Sequence, residues 1–148
     1  MIREVITYPN KLLRLKSKDV EQFDEELHTL LDDMYETMMA QHGVGLAAIQ
    51  VAIPLNVLII SLPNEEDIQD KADLIEAINP VITHKDGTQV FTEGCLSVPG
   101  FSEDVTRAQH IIVEYYDRNN EKHTMECEDF LAVAWQHEME HLSGHLFI

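Results

Sequence analysis

Two stretches of the chain carry apolar residues at helical spacing. From Asp24 to about Gln41, apolar side chains recur every three or four positions, which predicts a helix with acidic residues in its first turn and Gly43 at its end. These side chains are Leu27, Leu30, Leu31, Met34 and Met38. A second helix is predicted from Phe130 to Leu142, closed by Gly144.

The pattern of the second helix also predicts which way its histidines face. Its apolar stripe (Phe130, Val133 and Ala134) lies at offsets of three, four and seven from His137 and His141. Both imidazoles are therefore expected to point toward the body of the domain.

Shorter apolar runs predict strands between the two helices. These are Val57 to Ile60, Ala77 to Ile82 with Pro80 marking an edge or a bulge, and a hairpin of His110 to Tyr116 with Lys122 to Glu126. Other segments are expected to be a short helix near Lys11 to Lys16, a flexible turn at Gly43 to Gly45, and a solvated acidic loop from Asn64 to Asp73. Short antiparallel strands around a central helix predict an α+β fold in one domain, residues 1–148.

Composition limits the partners and the compartment. The net charge of −17 argues against holding nucleic acid or an anionic membrane by bulk electrostatics, since both would be repelled. The chain starts without an apolar signal segment, and its longest apolar stretch, Leu55 to Leu62, is too short to span a bilayer. We therefore expect a cytoplasmic protein. Its two cysteines are too few for a disulfide framework.

The predicted last helix contains a His-Glu-x-x-His pattern at residues 137–141. Residues four apart lie one above the other on a helix, so His137 and His141 can bind one metal ion. Glu138 lies about 100° round from His137, where it can act on water without being a ligand.

Two histidines leave a metal site incomplete. In His-Glu-x-x-His proteases the third ligand lies downstream, but here the chain ends seven residues after His141, and Phe147 occupies the place of a third histidine. We expect His145 to lie at the surface or beside a metal ligand without binding the metal itself. Cys95, flanked by Gly94 in a turn-like segment closed by Pro99 and Gly100, is the upstream candidate, whereas Cys127 is expected in the core.

Three ordered segments resemble the signatures of the peptide deformylase family. They are Gly43 to Gln50 (GVGLAAIQ), Glu93 to Ser97 (EGCLS) and Gln136 to His141 (QHEMEH). That family removes formate from the N-formylmethionine of new polypeptides, and the similarity runs over essentially the whole chain.

The resemblance implies a role for each matching residue. Cys95, His137 and His141 would bind the metal, and Glu138 would be the catalytic acid and base. Gln50 and the Leu96 backbone N–H would polarise the formyl oxygen, and Gly45 would contact the substrate through its backbone. The methionine pocket would be lined by Val44, Phe130, Val133, Ala134 and the His137 ring, while Glu93 and Arg107 would brace the cysteine segment.

The resemblance also implies the metal. Iron(II) is expected in vivo, with zinc, nickel or cobalt as other occupants in purified protein, because sulfur and imidazole ligands accommodate all four ions. An open metal site can lower the pKa of bound water from 15.7 to about 7.

Some positions depart from the family pattern. Glu140 replaces the usual Asp, and we expect it to face outward or to orient a neighbour. His145 replaces a small apolar residue. Family members commonly continue into a C-terminal helix that docks to the ribosome in many bacterial relatives, so we expect nascent formylmethionyl chains as substrates without that docking. The alternatives are a non-catalytic binder of metal and formyl peptide, or a metalloprotease.

Overall fold

The computed structural model describes residues 1–144, apart from the side chain of residue 101. It contains two α-helices and seven β-strands in one α+β arrangement. The helices are α1 (Glu25–Ala40) and α2 (Asp129–Leu142). The strands are β1 (Gly45–Ala47), β2 (Val57–Ile60), β3 (Ile75–Asp86), β4 (Gln89–Cys95), β5 (Val98–Arg107), β6 (His110–Tyr116) and β7 (Lys122–Glu128). In the described part of the chain, neither helix has the length and apolarity needed to cross a membrane.

Helix α1 forms where the periodic pattern predicted it. Asp24 caps its start, since the side chain accepts a hydrogen bond from the Leu27 N–H at 3.1 Å. The predicted apolar face is buried and packs with Val57 and Ile59 of β2. This packing fixes the sheet edge that carries β1.

Five strands form one antiparallel sheet in the order β1-β2-β3-β6-β7. The predicted strands at residues 57–60 and 77–82 are present, and β6 and β7 form the predicted hairpin. Pro80 lies in the interior strand β3, where the register shifts between Ile78 and Val81. The bulge alternative for Pro80 is therefore confirmed. Strand β2 pairs with β3 only from Ile75 to Ile78, so at Pro80 β3 has a partner strand on one side alone.

Strands β4 and β5 form a separate two-stranded sheet that the sequence did not predict. Cys95 was expected in a turn-like segment, but it is the last residue of β4. Likewise, Gly45 begins β1, although the sequence predicted a flexible turn there. Both strands of the small sheet mix apolar and polar residues without regular alternation, so the sequence pattern gave no strand signal.

Helix α2 lies against the large sheet. Trp135 is fully buried among β6 side chains, and its ring centroid is 5.3 Å from that of Tyr115. Cys127 is also buried in this core, as predicted. The helix ends at Leu142. Gly144 follows with a φ of +81°, and a Cβ at this position would clash with the Arg14 carbonyl oxygen. His145 lies outside the described residues.

Candidate metal centre

The packing of α2 brings its two histidines to the last residue of β4. His137 and His141 lie one turn apart, with their Nε2 atoms 3.2 Å from each other. The Cys95 Sγ lies 3.2 Å from the His141 Nε2. One ligand atom from each of the three residues lies within 4.8 Å of the other two. The structure thus brings together the three residues that sequence reasoning selected.

These separations fit a tetrahedral metal ion. Bonds of about 2.05 Å to nitrogen and 2.3 Å to sulfur place tetrahedral ligands roughly 3.3 Å apart for two nitrogens and roughly 3.6 Å apart for nitrogen and sulfur. The distances between Cys95, His141 and His137 are close to these values. Three protein ligands leave a fourth position for water or substrate.

The charges around the site also fit a cation. Burial alone would lower the pKa of His137, but hydrogen bonds with Cys95 and Glu93 and the charge of Glu138 raise it to about 10. Positive charge is therefore stabilised at this ring. Burial and the neighbouring His137 lower the pKa of His141 to about 3, so its imidazole stays neutral, which is the form that binds metal.

A buried ion pair orients His137. Its Nδ1 lies 2.8 Å from the Glu93 Oε1, and the Arg107 guanidinium donates to both oxygens of Glu93 at 2.9 and 3.0 Å. Burial would raise the pKa of Glu93, but the hydrogen bonds from Arg107 and His137 outweigh it and lower that pKa to about 2. A carboxylate that is ionised at neutral pH behind a ligating imidazole fixes the ring and strengthens it as a ligand.

Glu140 joins the same network from the next turn of α2. Its carboxylate accepts a hydrogen bond from the Arg107 Nη1, while its side chain remains 41% exposed. Of the two expectations for this position, the structure shows the second, in which Glu140 orients a neighbour.

Gln50 reaches the site from a short 3₁₀ turn, Ala48–Val51, which follows β1. Its Oε1 accepts from the Ala47 N–H at 2.9 Å, which fixes the orientation of the amide. The Nε2 donates to the Ser97 Oγ at 3.1 Å and makes a longer contact of 3.5 Å with the Cys95 Sγ. One N–H of Gln50 is therefore directed toward the metal centre, beside Leu96.

Glu138 is buried beside the three ligands. Its Oε2 lies 4.0 Å from the His137 Nε2, and its Oε1 has no hydrogen-bond partner within residues 1–144. Burial raises the pKa of Glu138 to about 7. A carboxyl group with a pKa near neutrality and an unused oxygen is suited to proton transfer.

A cavity of about 450 Å³ opens onto these groups. All six residues expected to bind substrate line it, namely Val44, Gly45, Phe130, Val133, Ala134 and His137. Phe91 of β4 also lines it, with its ring centroid 4.9 Å from that of Phe130. Sequence reasoning missed Phe91 because it lies in a strand with no apolar alternation.

A sequence model of the polypeptide deformylase family matches residues 2–148. The chain belongs to this family. It is 58% identical to a peptide deformylase of Campylobacter jejuni over 149 aligned residues, a match that covers 100% of this chain and 85% of that relative. It is 54% identical to a peptide deformylase of Nautilia profundicola, with 99% of this chain and 84% of the relative covered.

A solved structure shows the same fold. The crystal structure of a peptide deformylase from Legionella pneumophila superposes with a TM-score of 0.93 at 40% sequence identity, and the match covers 99% of this chain and 84% of the other. The predicted family, α+β fold class and deformylase activity are thus confirmed. The protein is a metallohydrolase with its metal site at Cys95, His137 and His141.

Proposed function

We propose that this deformylase hydrolyses the formyl amide of N-terminal formylmethionine on new polypeptides in the cytoplasm, with iron(II) bound by Cys95, His137 and His141. The observation that carries the proposal is the convergence of these three ligands beside a buried carboxyl group at a largely apolar cavity. A divalent ion held there would supply a Lewis acid and a lower pKa for water.

Glu138 has the position and the pKa for the proton transfers. Its Oε1 is the atom proposed to accept a proton from the attacking water, since no group within residues 1–144 bonds to it. The same oxygen then returns the proton to the leaving amine nitrogen, because the pKa of about 7 allows both protonation states near neutral pH.

Gln50 and Leu96 are proposed to stabilise the negative charge that develops on the formyl oxygen. Among the described residues, the second N–H of the Gln50 amide makes only the long 3.5 Å contact with Cys95 Sγ, so it is available to a stronger acceptor. With the Leu96 backbone N–H it would form an oxyanion hole, in which one donor typically contributes about 10² to 10³ in rate.

The cavity is proposed to bind the methionine side chain. Its walls include Val133, Ala134 and the ring of Phe91, and an unbranched thioether packs well against such irregular apolar surfaces. Gly45 lines the same cavity, and its backbone is proposed to contact the substrate.

Formate release from formyl-Met-Ala, measured with anaerobically purified protein and metal analysis, tests the proposal. We expect about one iron per chain at the centre and rapid release from this substrate, but slow release when alanine replaces methionine. Equal rates on both substrates would contradict the assigned pocket. Full activity without iron, nickel, cobalt or zinc would contradict the assigned metal centre.

A further inference from the structure

The outer face of the large sheet carries a second group of side chains that can bind metal. His84 and Asp86 lie near the end of β3, and His110 begins β6 directly opposite Asp86. One ligand atom of each lies within 4.8 Å of the others. We call these three residues and Glu126 of β7 the sheet-end cluster.

A β-bulge places the members of the cluster on one face. Ile82 pairs with Val113, but His84 pairs with Ile112, so β3 contains one extra residue between these pairs. Without the bulge, His84 would pair with Ile111 and would point toward the core under α2, since a one-residue slip reverses the face. The bulge therefore turns both His84 and Asp86 toward the side of His110.

Glu126 sets the orientation of the His110 ring. Its Oε1 lies 2.7 Å from the His110 Nε2, so a neutral imidazole donates from that nitrogen and presents its lone pair at Nδ1. That lone pair faces the Asp86 Oδ2 at 2.9 Å, and the same oxygen lies 2.5 Å from the His84 Nε2. Two acceptors at this distance require either a proton or a metal ion between them.

We propose that His84, Asp86 and His110 form a second metal site for Zn²⁺ or a similar divalent transition-metal ion. Two imidazoles and a carboxylate are a donor set that favours these ions over Mg²⁺ or Ca²⁺. Glu126 orients His110 here as Glu93 orients His137 in the catalytic centre. The site is open to solvent, since the His84 and Asp86 side chains are 51% and 55% exposed, so water completes the coordination.

Zinc counting by equilibrium dialysis tests the proposal on the full-length protein. We expect the wild type to bind two Zn²⁺ ions per chain, one tightly at the catalytic centre and one at higher free zinc. His84→Gln and His110→Gln should each lower the affinity for the second ion at least about 10-fold and leave the affinity for the first ion unchanged. Even the loss of a residue that orients a ligand lowers metal affinity about 10- to 100-fold. Glu126→Gln should lower the affinity for the second ion by about 10- to 100-fold.

His123→Gln is the matched control. This imidazole belongs to the same sheet, is 44% exposed and contacts the Asp117 carboxylate at 2.8 Å. With Glu121 these two residues form another exposed group whose ligand atoms lie within 4.8 Å of one another. The His123→Gln variant should bind both zinc ions as the wild type does, and loss of the second ion in this variant alone would overturn the proposal. Saturation of the wild type at one ion would overturn the proposal in favour of a protonated His110 between two carboxylates. Retention of the second ion at wild-type affinity in both histidine variants would overturn it as well. Melting curves verify folding, and if one variant fails to fold, the other decides the question.

Discussion

At the scale of single residues, environment gives two neighbouring carboxyl groups different chemistry. Glu93 and Glu138 are both buried within the same site. Arg107 and His137 hold Glu93 ionised. Glu138 has one oxygen without a hydrogen-bond partner in the part of the chain that the structure describes, and burial raises its pKa to about 7. Sequence reasoning assigned these roles by resemblance, but the hydrogen-bond partners that separate them became visible only with the packing of β4 against α2.

Glu138→Gln should abolish most turnover without emptying the metal site. The amide cannot accept and return a proton, and loss of a general acid–base typically costs about 10² to 10⁴ in rate. Formate release and bound metal are measured together on the same sample. Glu140→Gln is the control, since it makes the same change on the same helix at a half-exposed position that contacts Arg107. A variant at Glu138 with near wild-type kcat would refute the assignment.

Gly45→Ala should lower activity by displacing the Glu138 carboxylate. A Cβ at Gly45 would lie 2.8 Å from the Glu138 Oε2, closer than van der Waals contact allows. Displacement of a catalytic group by about 1 Å can lower the reaction rate about 10²-fold. Gly43→Ala is the comparison, because its added Cβ meets the end of the Leu96 side chain at 3.0 Å, which can rotate away. If both variants keep full kcat/KM, close approach at Gly45 has no catalytic role.

At the scale of elements, the sequence predicted the helices and strands that have a regular spacing of apolar residues or a capping residue. It missed those that have neither. Helix α1 was predicted to within one residue at each end because its apolar spacing and Asp24 cap agree. The hairpin of β6 and β7 was predicted from its alternation and turn residues. Strands β4 and β5 were missed because they form a narrow sheet with mostly exposed residues on β4, so neither face shows a continuous apolar pattern.

The missed strand β4 contributes Phe91 to the cavity, and its removal should weaken substrate recognition. Phe91→Ala takes away a ring that packs on Phe130 and lines the methionine pocket. We expect kcat/KM for formyl-Met-Ala to fall about 10-fold, mainly because KM rises. This is the lower end of the loss that follows when apolar contact in a pocket is removed. Val90→Ala on the other face of β4, 65% exposed, should have no effect. Equal losses in both variants would indicate a general disturbance of the strand.

The turn between β6 and β7 should contribute stability that depends on pH. Burial would raise the pKa of Asp117, but hydrogen bonds from His123 and from the backbone N–H groups of Glu121 and Asn119 lower it below its usual 3.8. A lowered folded-state pKa gives stability that is present above pH 3.8 and is lost as the pH falls through the folded-state value. Asp117→Asn should therefore lower the free energy of unfolding by about 1 kcal/mol at pH 7.

Urea denaturation at several pH values measures this effect. The difference between wild type and Asp117→Asn should shrink as the pH falls below 4. Glu121→Gln is the control, because Glu121 contacts Asp117 through its backbone rather than its carboxylate. A difference that is the same at pH 7 and pH 3 would show that ionisation of Asp117 does not stabilise the turn.

At the scale of the whole molecule, the metal centre joins the small sheet to helix α2, beside the contacts of Glu93 with His137 and of Arg107 with Glu140. Cys95 ends the small sheet, and His137 and His141 belong to the helix that packs on the large sheet. The sequence predicted this meeting from its ligand types, and the resemblance implied that Glu93 and Arg107 brace the cysteine segment. It did not predict that their buried ion pair would also contact His137. Because the net charge is −17, a bound cation also reduces the electrostatic repulsion within the folded chain.

Removal of the metal should therefore lower the thermal stability of the whole protein. A ligand present at 1,000 times its dissociation constant stabilises the native state by about 4.1 kcal/mol, and for a chain of this size each kcal/mol corresponds to roughly 2–4 °C. Dialysis against a chelator should lower the Tm by about 8 to 16 °C, and added zinc or nickel should restore it. The Tm of His141→Ala should be close to that of the metal-free wild type, with or without chelator. The Tm of His84→Gln should fall on chelation by as much as that of the wild type. A wild-type Tm that does not change on chelation would mean that the ion does not stabilise the packing of β4 against α2.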